Sequence, residues 1–317
     1  MKSWGNSIYL LRMKIMRNKL ENKRYTIPLL QRLLGVVIGG LAFFMPVKGQ
    51  KDGVVFVKTS PIMTPAADSL NLAMMQPYTT VRQIRMIGAG VTQLLDTYLS
   101  AEKYRGVELR VLSQAERKKE DKVFSYEWLH EGGLAHAKNR SGNASEIAGS
   151  YHAAYGCYYN MDLLNSRLSL RLGARMGGYL GFVYNSRNSN NPAQARVALH
   201  LMPTAAATYR FHWGSRPLAI YYEVSVPLCG VMFSPNYGQS YYEIFSKGNY
   251  DRNIVPVTIA SAPSLRQTIS LDFHWGRTTW RVGCLGDYRQ ARVNRLKWHT
   301  YTHALLVGYV QQFTFLK

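Results

Sequence analysis

The residues at 168–184 alternate between apolar side chains and small or charged ones along the whole stretch. Leu172 and Phe182 belong to one set, and Arg171 and Arg175 belong to the other together with several glycines and serines. A period of two puts the two sets on opposite faces of a β-strand. Strands of soluble proteins usually run for about 5–6 residues, whereas a tilted membrane-spanning strand needs about 9–11. The stretch therefore predicts a transmembrane β-strand.

The composition fits a barrel better than a bundle of membrane helices. The chain has 317 residues, of which 47% are hydrophobic and 22 are tyrosine. Barrel strands are apolar on one face only, and tyrosine is frequent where membrane meets water. The alternative to a membrane barrel is a soluble sandwich with long strands.

The first 49 residues have the features of a cleaved signal peptide. A long basic region precedes an apolar run at 33–47, which is short for a membrane-spanning helix. The predicted cleavage point lies near Gly49, and no cysteine lies at that point, so a lipoprotein is not expected. A retained membrane anchor is the alternative. We expect residues 50–83 to be a periplasmic segment that enters the lumen or adds two strands, and residues 84–317 to form the barrel.

Ten alternating segments follow in order, and they predict an all-β, antiparallel, up-and-down transmembrane barrel of about ten strands, with twelve as the alternative. The segments are 87–95, 107–115, 123–138, 147–160, 168–184, 195–211, 217–233, 265–275, 279–289 and 301–315.

The predicted connections alternate between short and long, which is typical of barrels with short periplasmic turns and long extracellular loops. The short connections are 116–122, 161–166, 212–216 and 276–278, and the long ones are 139–146, 185–194, 234–264 and 290–300. Both chain ends would then face the periplasm. Trp213 and Trp275 would lie in an aromatic belt at the periplasmic end, with Trp298 and Tyr301 at the other end.

Charge and cysteine usage exclude several classes of function. The formal net charge is +21, but the basic residues do not cluster on a helix, and an exported barrel does not meet nucleic acid. Anionic lipid headgroups are the expected partners. The three cysteines are widely spaced and form neither a disulfide framework nor a metal site. We expect no metal and no cofactor.

Charges of both signs occupy positions that would face the lumen. Ten strands enclose little more than side chains, so we expect these charges to pair across a packed interior. A narrow pore or a small-ligand site is the alternative. The predicted lumen cluster consists of Glu127, Glu131, Arg171, Arg175, Glu223, Asp272, Arg281 and Asp287.

The predicted extracellular loops contain basic and aromatic residues. Four cations around the last loop, Arg289, Arg292, Arg295 and Lys297, are candidates for contact with the phosphates of lipopolysaccharide, and generic solvated charge is the alternative. The tyrosines of 234–264 favour either a protein partner or a cover over the barrel mouth.

A catalytic interpretation rests on three residues at the predicted outer rim, which are Asp96, His299 and His303. The first and last strands are neighbours in a closed barrel, so an Asp–His pair is geometrically conceivable. Acyl transfer would also need a serine such as Ser100, and no Gly-x-Ser-x-Gly motif is present. The spacing is not specific, so we assign no catalytic residue and favour a protein that is not an enzyme.

The segment Leu95-Asp96-Thr97-Tyr98-Leu99-Ser100, followed by Tyr104 and Gly106, resembles a family of uncharacterised outer-membrane β-barrels of Gram-negative bacteria. The resemblance runs from about residue 87 to the C-terminus. It implies an outer-membrane location and biogenesis by the barrel-assembly machinery, and it brings no activity. We expect a monomer with a structural or binding role at the cell envelope. A rim hydrolase acting on lipid or peptide is the second hypothesis, and a narrow channel is the third.

Overall fold

The computed structural model describes residues 55–59, 62, 78–119, 122–276 and 278–316, which form one antiparallel sheet of 13 strands and a short helix. The predicted signal peptide and most of the segment 50–83 lie outside these residues. No helix among the described residues is long and apolar enough to cross a membrane. The elements are β1 (Val55–Thr59), β2 (Thr79–Asp96), β3 (Ser100–Lys119), β4 (Phe124–Asn139), β5 (Ser145–Leu163), β6 (Leu168–Asn185), β7 (Ala193–Trp213), β8 (Arg216–Ser225), β9 (Cys229–Phe233), α1 (Tyr241–Phe245), β10 (Ile254–Thr258), β11 (Leu265–Trp275), β12 (Thr278–Val293) and β13 (Leu296–Leu316).

Ten of the described strands close into a barrel. Strands β2 to β8 pair in chain order, β8 also pairs with β11, and the path returns through β12 and β13 to β2. The closing ladder joins Asp96 to Trp298 at one end and Thr79 to Phe315 at the other. The predicted ten-stranded up-and-down barrel is confirmed. Outside the closed path, β1 extends the sheet along β13, and β9 and β10 form a hairpin on β7.

The alternation of the sequence separates the two faces of the wall. On β6, Leu172, Met176 and Leu180 are 48–59% exposed on the outer face, whereas Arg171 and Arg175 are buried on the inner face. The same division runs around the barrel. The result is an apolar exterior and a polar lumen, which is the arrangement of barrels that face lipid.

Inward-facing glycines let neighbouring strands approach closely. A Cβ on Gly90 of β2 would overlap the carbonyl oxygen of His303 on β13, and a Cβ on Gly106 of β3 would overlap that of His136 on β4. Glycine at such inner positions allows the bending that a closed barrel of strongly coiled strands requires.

The two ends of the barrel carry different connections. At what we call the turn end, the strands are joined at 120–123, 164–167, 214–215 and 276–277. At the other end, the loop end, the connections are 97–99, 140–144, 186–192, the long segment 234–253 and a turn at 294–295. Long connections thus lie at one end only, as the sequence predicts.

The predicted long connection at 290–300 is wrong. Strand β12 continues to Val293 and β13 begins at Leu296, which leaves a two-residue turn of Asn294 and Arg295. Both turn residues have positive φ, 49° and 62°. Such a turn matches the twist of a hairpin but needs left-handed backbone at both positions, which is uncommon for arginine.

Aromatic residues mark the turn end. Trp213 is 78% exposed and Trp275 is 75% exposed, both beside tight turns with Gly214 and Gly276 at positive φ. At the other end the prediction is wrong for Trp298, which is inside the lumen and only 8% exposed, whereas Tyr301 lies on the outer face. The strand neighbour of Trp298 is Asp96, also an inner-face residue, so the alternation of β13 turns the indole inward.

A pair of glycine substitutions tests the account of close strand approach. We expect Gly90→Ala to lower the free energy of unfolding by about 1–3 kcal/mol, because the new methyl group would overlap backbone that cannot move freely. Gly178→Ala, on the lipid-facing side of β6 with no heavy atom within 4 Å of the new methyl, should leave stability unchanged. Urea unfolding of the barrel in vesicles measures both, and equal midpoints would contradict the account.

Candidate functional site

The structure places all eight residues of the predicted lumen cluster inside the barrel, each no more than 6% exposed. They come from five different strands, because every strand contributes its inner-face positions to one narrow interior. Glu127 is the most connected of them. Its carboxylate accepts hydrogen bonds from Arg171 and from Arg175, and from Gln114 at 2.7 Å.

The ion pairs join into one continuous chain, which we call the ion-pair chain. Arg175 Nη1 is 2.8 Å from Glu223 Oε1, Arg266 contacts Glu223 and Glu131 at 3.0 Å, and Arg110 Nη1 is 2.8 Å from Asp287 Oδ2. In order, its members are Glu116, Arg171, Glu127, Arg175, Glu223, Arg266, Glu131, Arg110, Asp287 and Arg289.

Two contacts of the lumen join strands on opposite sides of the barrel. Glu131 on β4 meets Arg266 on β11, and Arg196 on β7 meets Asp96 on β2 at 3.2 Å. In each pair the two strands are five steps apart around the closed ring of ten, and they are therefore diametrically opposite. Side chains that meet across the whole diameter fill the lumen. Cavities of about 50 and 20 Å³ lie beside them, in the half nearer the loop end.

Tyrosines complete the polar packing near the turn end. The guanidinium of Arg171 lies 4.4 Å above the ring of Tyr158, and that of Arg281 lies 4.6 Å above Tyr221. Arg281 also forms a bidentate pair with Asp272, with both distances 2.6 Å. Buried guanidinium groups are satisfied here by carboxylates and aromatic faces together.

The predicted lumen cluster lacks four members of the ion-pair chain, Glu116, Arg266, Arg110 and Arg289. Glu116 lay in a predicted turn, but β3 continues to Lys119. Arg266 lies at the start of β11 and shares its buried face with Thr268, Ser270 and Asp272, which follow at every second position. This run of polar residues at every second position was the signal that could have identified it.

The segment 234–253 crosses the barrel mouth. The hydroxyl of Tyr98, in the turn between β2 and β3, donates to the carbonyl oxygen of Gln239 at 3.0 Å. On the opposite side, the hydroxyl of Tyr241 donates to Gln194 at the start of β7 at 2.8 Å. Burial raises the pKa of Tyr98 to about 12, so the phenol remains a donor at neutral pH. We call this segment the cap.

Helix α1 gives the cap a fixed shape. Ser240 and Glu243 form a capping box, and hydrogen bonds from the backbone and side chain of Ser240 lower the pKa of the Glu243 carboxyl. Other aromatic side chains of the cap, unlike that of Tyr241, face outward. Tyr237, Tyr242 and Phe245 are 63–72% exposed. Two roles were predicted for this loop, a cover over the barrel mouth and a surface for a protein partner. The cover is observed, and the exposed aromatic side chains keep the second role open as a prediction.

The four predicted phosphate contacts separate into two groups. Arg292, Arg295 and Lys297 are exposed around the turn between β12 and β13. Arg289 differs from them, because it points into the lumen, pairs with Asp287 at 3.0 Å and lies 4.3 Å above the ring of Tyr179.

The three catalytic candidates do not come together. Asp96 points into the lumen, where it accepts hydrogen bonds from Arg196 and from the backbone of Tyr98. His299 lies on the outer face, stacks on Tyr301 at 4.4 Å and contacts Gln93 at 3.1 Å. His303 is on the same outer face and contacts Tyr288. The strands are neighbours as predicted, but alternation puts the acid and the histidines on opposite sides of the wall.

A family model described as "Protein of unknown function (DUF3316)" matches residues 55–317. No curated protein matches the chain. Among solved structures, the transport unit of the autotransporter AIDA-I from Escherichia coli is 7% identical, covers 87% of this chain and 96% of its own, and has a TM-score of 0.34. The outer membrane protease OmpT from Escherichia coli is 7% identical, with coverage of 76% and 97% and a TM-score of 0.35. Neisserial surface protein A is 12% identical, with coverage of 73% and 96% and a TM-score of 0.27.

Removing one charge from the ion-pair chain should destabilise the barrel strongly. We expect Glu127→Gln to lower the free energy of unfolding by about 3–5 kcal/mol, because Arg171 and Arg175 would lose a shared carboxylate in a buried site. Asp251→Asn, which removes an acid whose side chain is 76% exposed, is the matched control and should change stability by less than about 0.5 kcal/mol. Urea unfolding is the measurement, and similar losses in both variants would refute the role given to the chain.

Proposed function

The chain belongs to the DUF3316 family of proteins of unknown function, and we propose that it is a closed barrel of a Gram-negative outer membrane that binds anionic envelope lipid at its loop end. The groups that it binds are the phosphates of lipopolysaccharide. The observation that carries the proposal is the excess of exposed cations around a mouth that is covered rather than open.

Several features support the location. The outer face is apolar around the wall, Trp213 and Trp275 are exposed beside the short turns, and the long connections share one end. In outer-membrane barrels the short turns are periplasmic and the long loops are extracellular. The loop end is then the end that meets the outer leaflet, where lipopolysaccharide resides.

The filled lumen argues against conduction. The ion-pair chain crosses the full diameter, and the cap lies over the mouth. A lumen filled and covered in this way leaves no evident path for conduction, so the channel hypothesis ranks below surface binding. The hydrolase hypothesis also ranks below it, because Asp96 and His299 lie on opposite faces of the wall.

Exposed charge at the loop end is strongly unbalanced. Among the described residues there, ten lysines and arginines are exposed, compared with two acids, Glu102 and Asp251. Arginine and lysine are the natural partners of phosphate. The exposed cations are Lys103, Arg105, Lys138, Arg140, Arg187, Lys247, Arg252, Arg292, Arg295 and Lys297.

The aromatic side chains of the cap favour a second candidate on the same surface. Tyr242 and Phe245 present flat, exposed faces on a helix held by its capping box. Rigid aromatic residues of this kind are frequent in protein-binding surfaces. A protein partner at 234–264 would use these residues, whereas lipopolysaccharide would depend on the cations.

The location has a direct test. The native protein, extracted from separated inner and outer membranes, is run on a gel with and without boiling. We expect it in the outer-membrane fraction, with faster migration of the unboiled form, because a closed barrel resists unfolding by detergent. Recovery in the soluble periplasm without a mobility shift would contradict the proposal.

The lipid contact is tested by charge removal at one end only. We expect Arg292→Gln/Arg295→Gln/Lys297→Gln to weaken binding of fluorescent lipopolysaccharide by on the order of 100-fold, since each cation contributes about 1 kcal/mol near an anionic surface. The loss should shrink as salt rises. Fluorescence polarisation of the detergent-solubilised barrel measures the affinity.

The control for this experiment removes the same charge from the turn end. Lys119, Arg167 and Arg216 are also exposed, and their replacement by glutamine should leave the affinity near that of the native protein. An equal loss in both variants would mean that binding follows net charge, and the assigned surface would be wrong.

A further inference from the structure

The larger of the two cavities lies inside the loop-end half of the barrel, below the cap. Its volume is about 50 Å³, and its lining comes from β5, β6, β7, β9, β11, β12 and β13. The smaller cavity adjoins it, and the two share Tyr179, Arg196, Asp287 and Arg289. This is the region in which the ion-pair chain ends, because Arg289 is its last member.

Hydrogen-bond donors without partners line this cavity. Arg289 uses only its Nε on Asp287, and within the described residues no hydrogen bond reaches its two terminal nitrogens. His152 is 5% exposed, and its Nδ1 is fully buried without a partner. The Nε of Arg196 is in the same condition. Buried polar groups are normally satisfied, so the buried nitrogens of His152 and Arg196, together with the guanidinium of Arg289, whose side chain is 17% exposed, favour a bound group that supplies acceptor oxygens.

The opposite side of the cavity is apolar. Ala198, Met202 and Met232 line it together with Ala262 and Leu265. Most of these side chains belong to a buried cluster that also includes Trp298 and Val257. A cavity with donors on one side and hydrocarbon on the other is complementary to an amphiphile rather than to a free ion.

The barrel wall is interrupted beside this apolar side. The ladder between β8 and β11 ends at Ser225 and Arg266, and the ladder between β9 and β10 resumes at Cys229 and Thr258. Between these points one strand passes through Pro227, which has no N–H to donate. The other strand is last bonded to it where the N–H of Ile259 donates to the carbonyl oxygen of Leu228 at 2.9 Å, and its residues 260–264 then turn away to contact β12. There the backbone of Arg292 donates to the carbonyl oxygen of Ser261 at 2.9 Å.

The outer surface at this interruption is suited to lipid. Leu228 and Ile259 are each 46% exposed on its two sides. Irregular backbone at membrane depth is tolerated where it lines a cavity. Pro227, Ala262 and Ser264 line the cavity from the wall side, so the interruption and the cavity adjoin each other.

We propose that the cavity binds the acidic headgroup of a single-chain amphiphile, which reaches it from the lipid phase through the interruption between Pro227 and the segment 259–264. The headgroup oxygens accept hydrogen bonds from Arg289 and His152, and the start of the chain lies against Met232 and Ala262. This site is separate from the exposed cations of the loop end and does not depend on lipopolysaccharide binding.

The test uses laurate as the probe, with dodecanol and inorganic phosphate as matched probes that lack the charge or the chain. A ligand that binds only the folded barrel raises its unfolding midpoint with increasing concentration. We expect laurate to raise the midpoint of the native protein in neutral detergent, and the other two probes to leave it nearly unchanged. Retention of the heat-dependent gel shift shows that each variant is folded.

Two variants and one control make the assignment specific. Arg289→Gln should weaken the apparent laurate affinity at least tenfold, and His152→Leu should weaken it several-fold without leaving an unpaired charge. Arg216→Gln, which removes an exposed arginine at the turn end, should bind laurate as the native protein does.

Three results would overturn the proposal. Equal protection by laurate in Arg289→Gln and Arg216→Gln would mean that the cavity is not the site. Equal protection by dodecanol would remove the role of the acidic headgroup. Protection by phosphate alone that matches laurate would mean a site for a free oxyanion, with no route from the lipid phase.

Discussion

Closure of the hydrogen-bond ladder is the constraint on which the rest of this structure depends. In hydrocarbon an unpaired backbone group costs several kcal/mol, so a sheet that faces lipid has to return to its own first strand. Here β13 and β2 pair from Trp298 opposite Asp96 to Phe315 opposite Thr79, which is nearly the full length of both strands. Each strand of a closed wall needs a hydrogen-bonded partner on both sides along its whole length. Strand β7 has 21 residues and finds its second partner in two pieces, since one half pairs with β8 and the other with β9.

Closure also creates the problem that the lumen solves. Ten strands enclose too little space for bulk water but too much for backbone alone, so the inner positions must be filled by side chains. Apolar residues such as Leu129 and Leu306 fill part of it. Charged side chains fill the remainder. They have to pair with one another, because an isolated buried charge carries a large desolvation penalty. The ion-pair chain follows from that requirement, and it ties strands on opposite sides of the barrel together.

The strands and their faces were predictable because alternation is a local property. The segment 265–275 coincides with β11, and the outer and inner sets of β6 fall where the period of two places them. Errors arose where the answer depends on non-local geometry. The turn at Asn294 and Arg295 contains no glycine that would mark it in the sequence. The predicted strand 279–289 therefore ends before β12 does, and the predicted strand 301–315 begins after β13 does. Asp96 and His299 were correctly placed on adjacent strands, but both lie beyond the predicted strands 87–95 and 301–315. Their opposite faces therefore became apparent only because β2 and β13 continue through them.

The site was less predictable than the fold for the same reason. The sequence shows which charges face inward, but not that Arg266 reaches across to Glu131 while Arg289 keeps two nitrogens without a protein partner. Pairing is dense where the strands form uninterrupted ladders, and it ends where Pro227 and the segment 259–264 break the wall. Buried donors without hydrogen-bond partners also occur near the turn end, on Arg82, Arg171 and Arg210, but neither cavity adjoins them. Both cavities and the cap lie in the loop-end half, so that half is where unpaired donors and open space occur together.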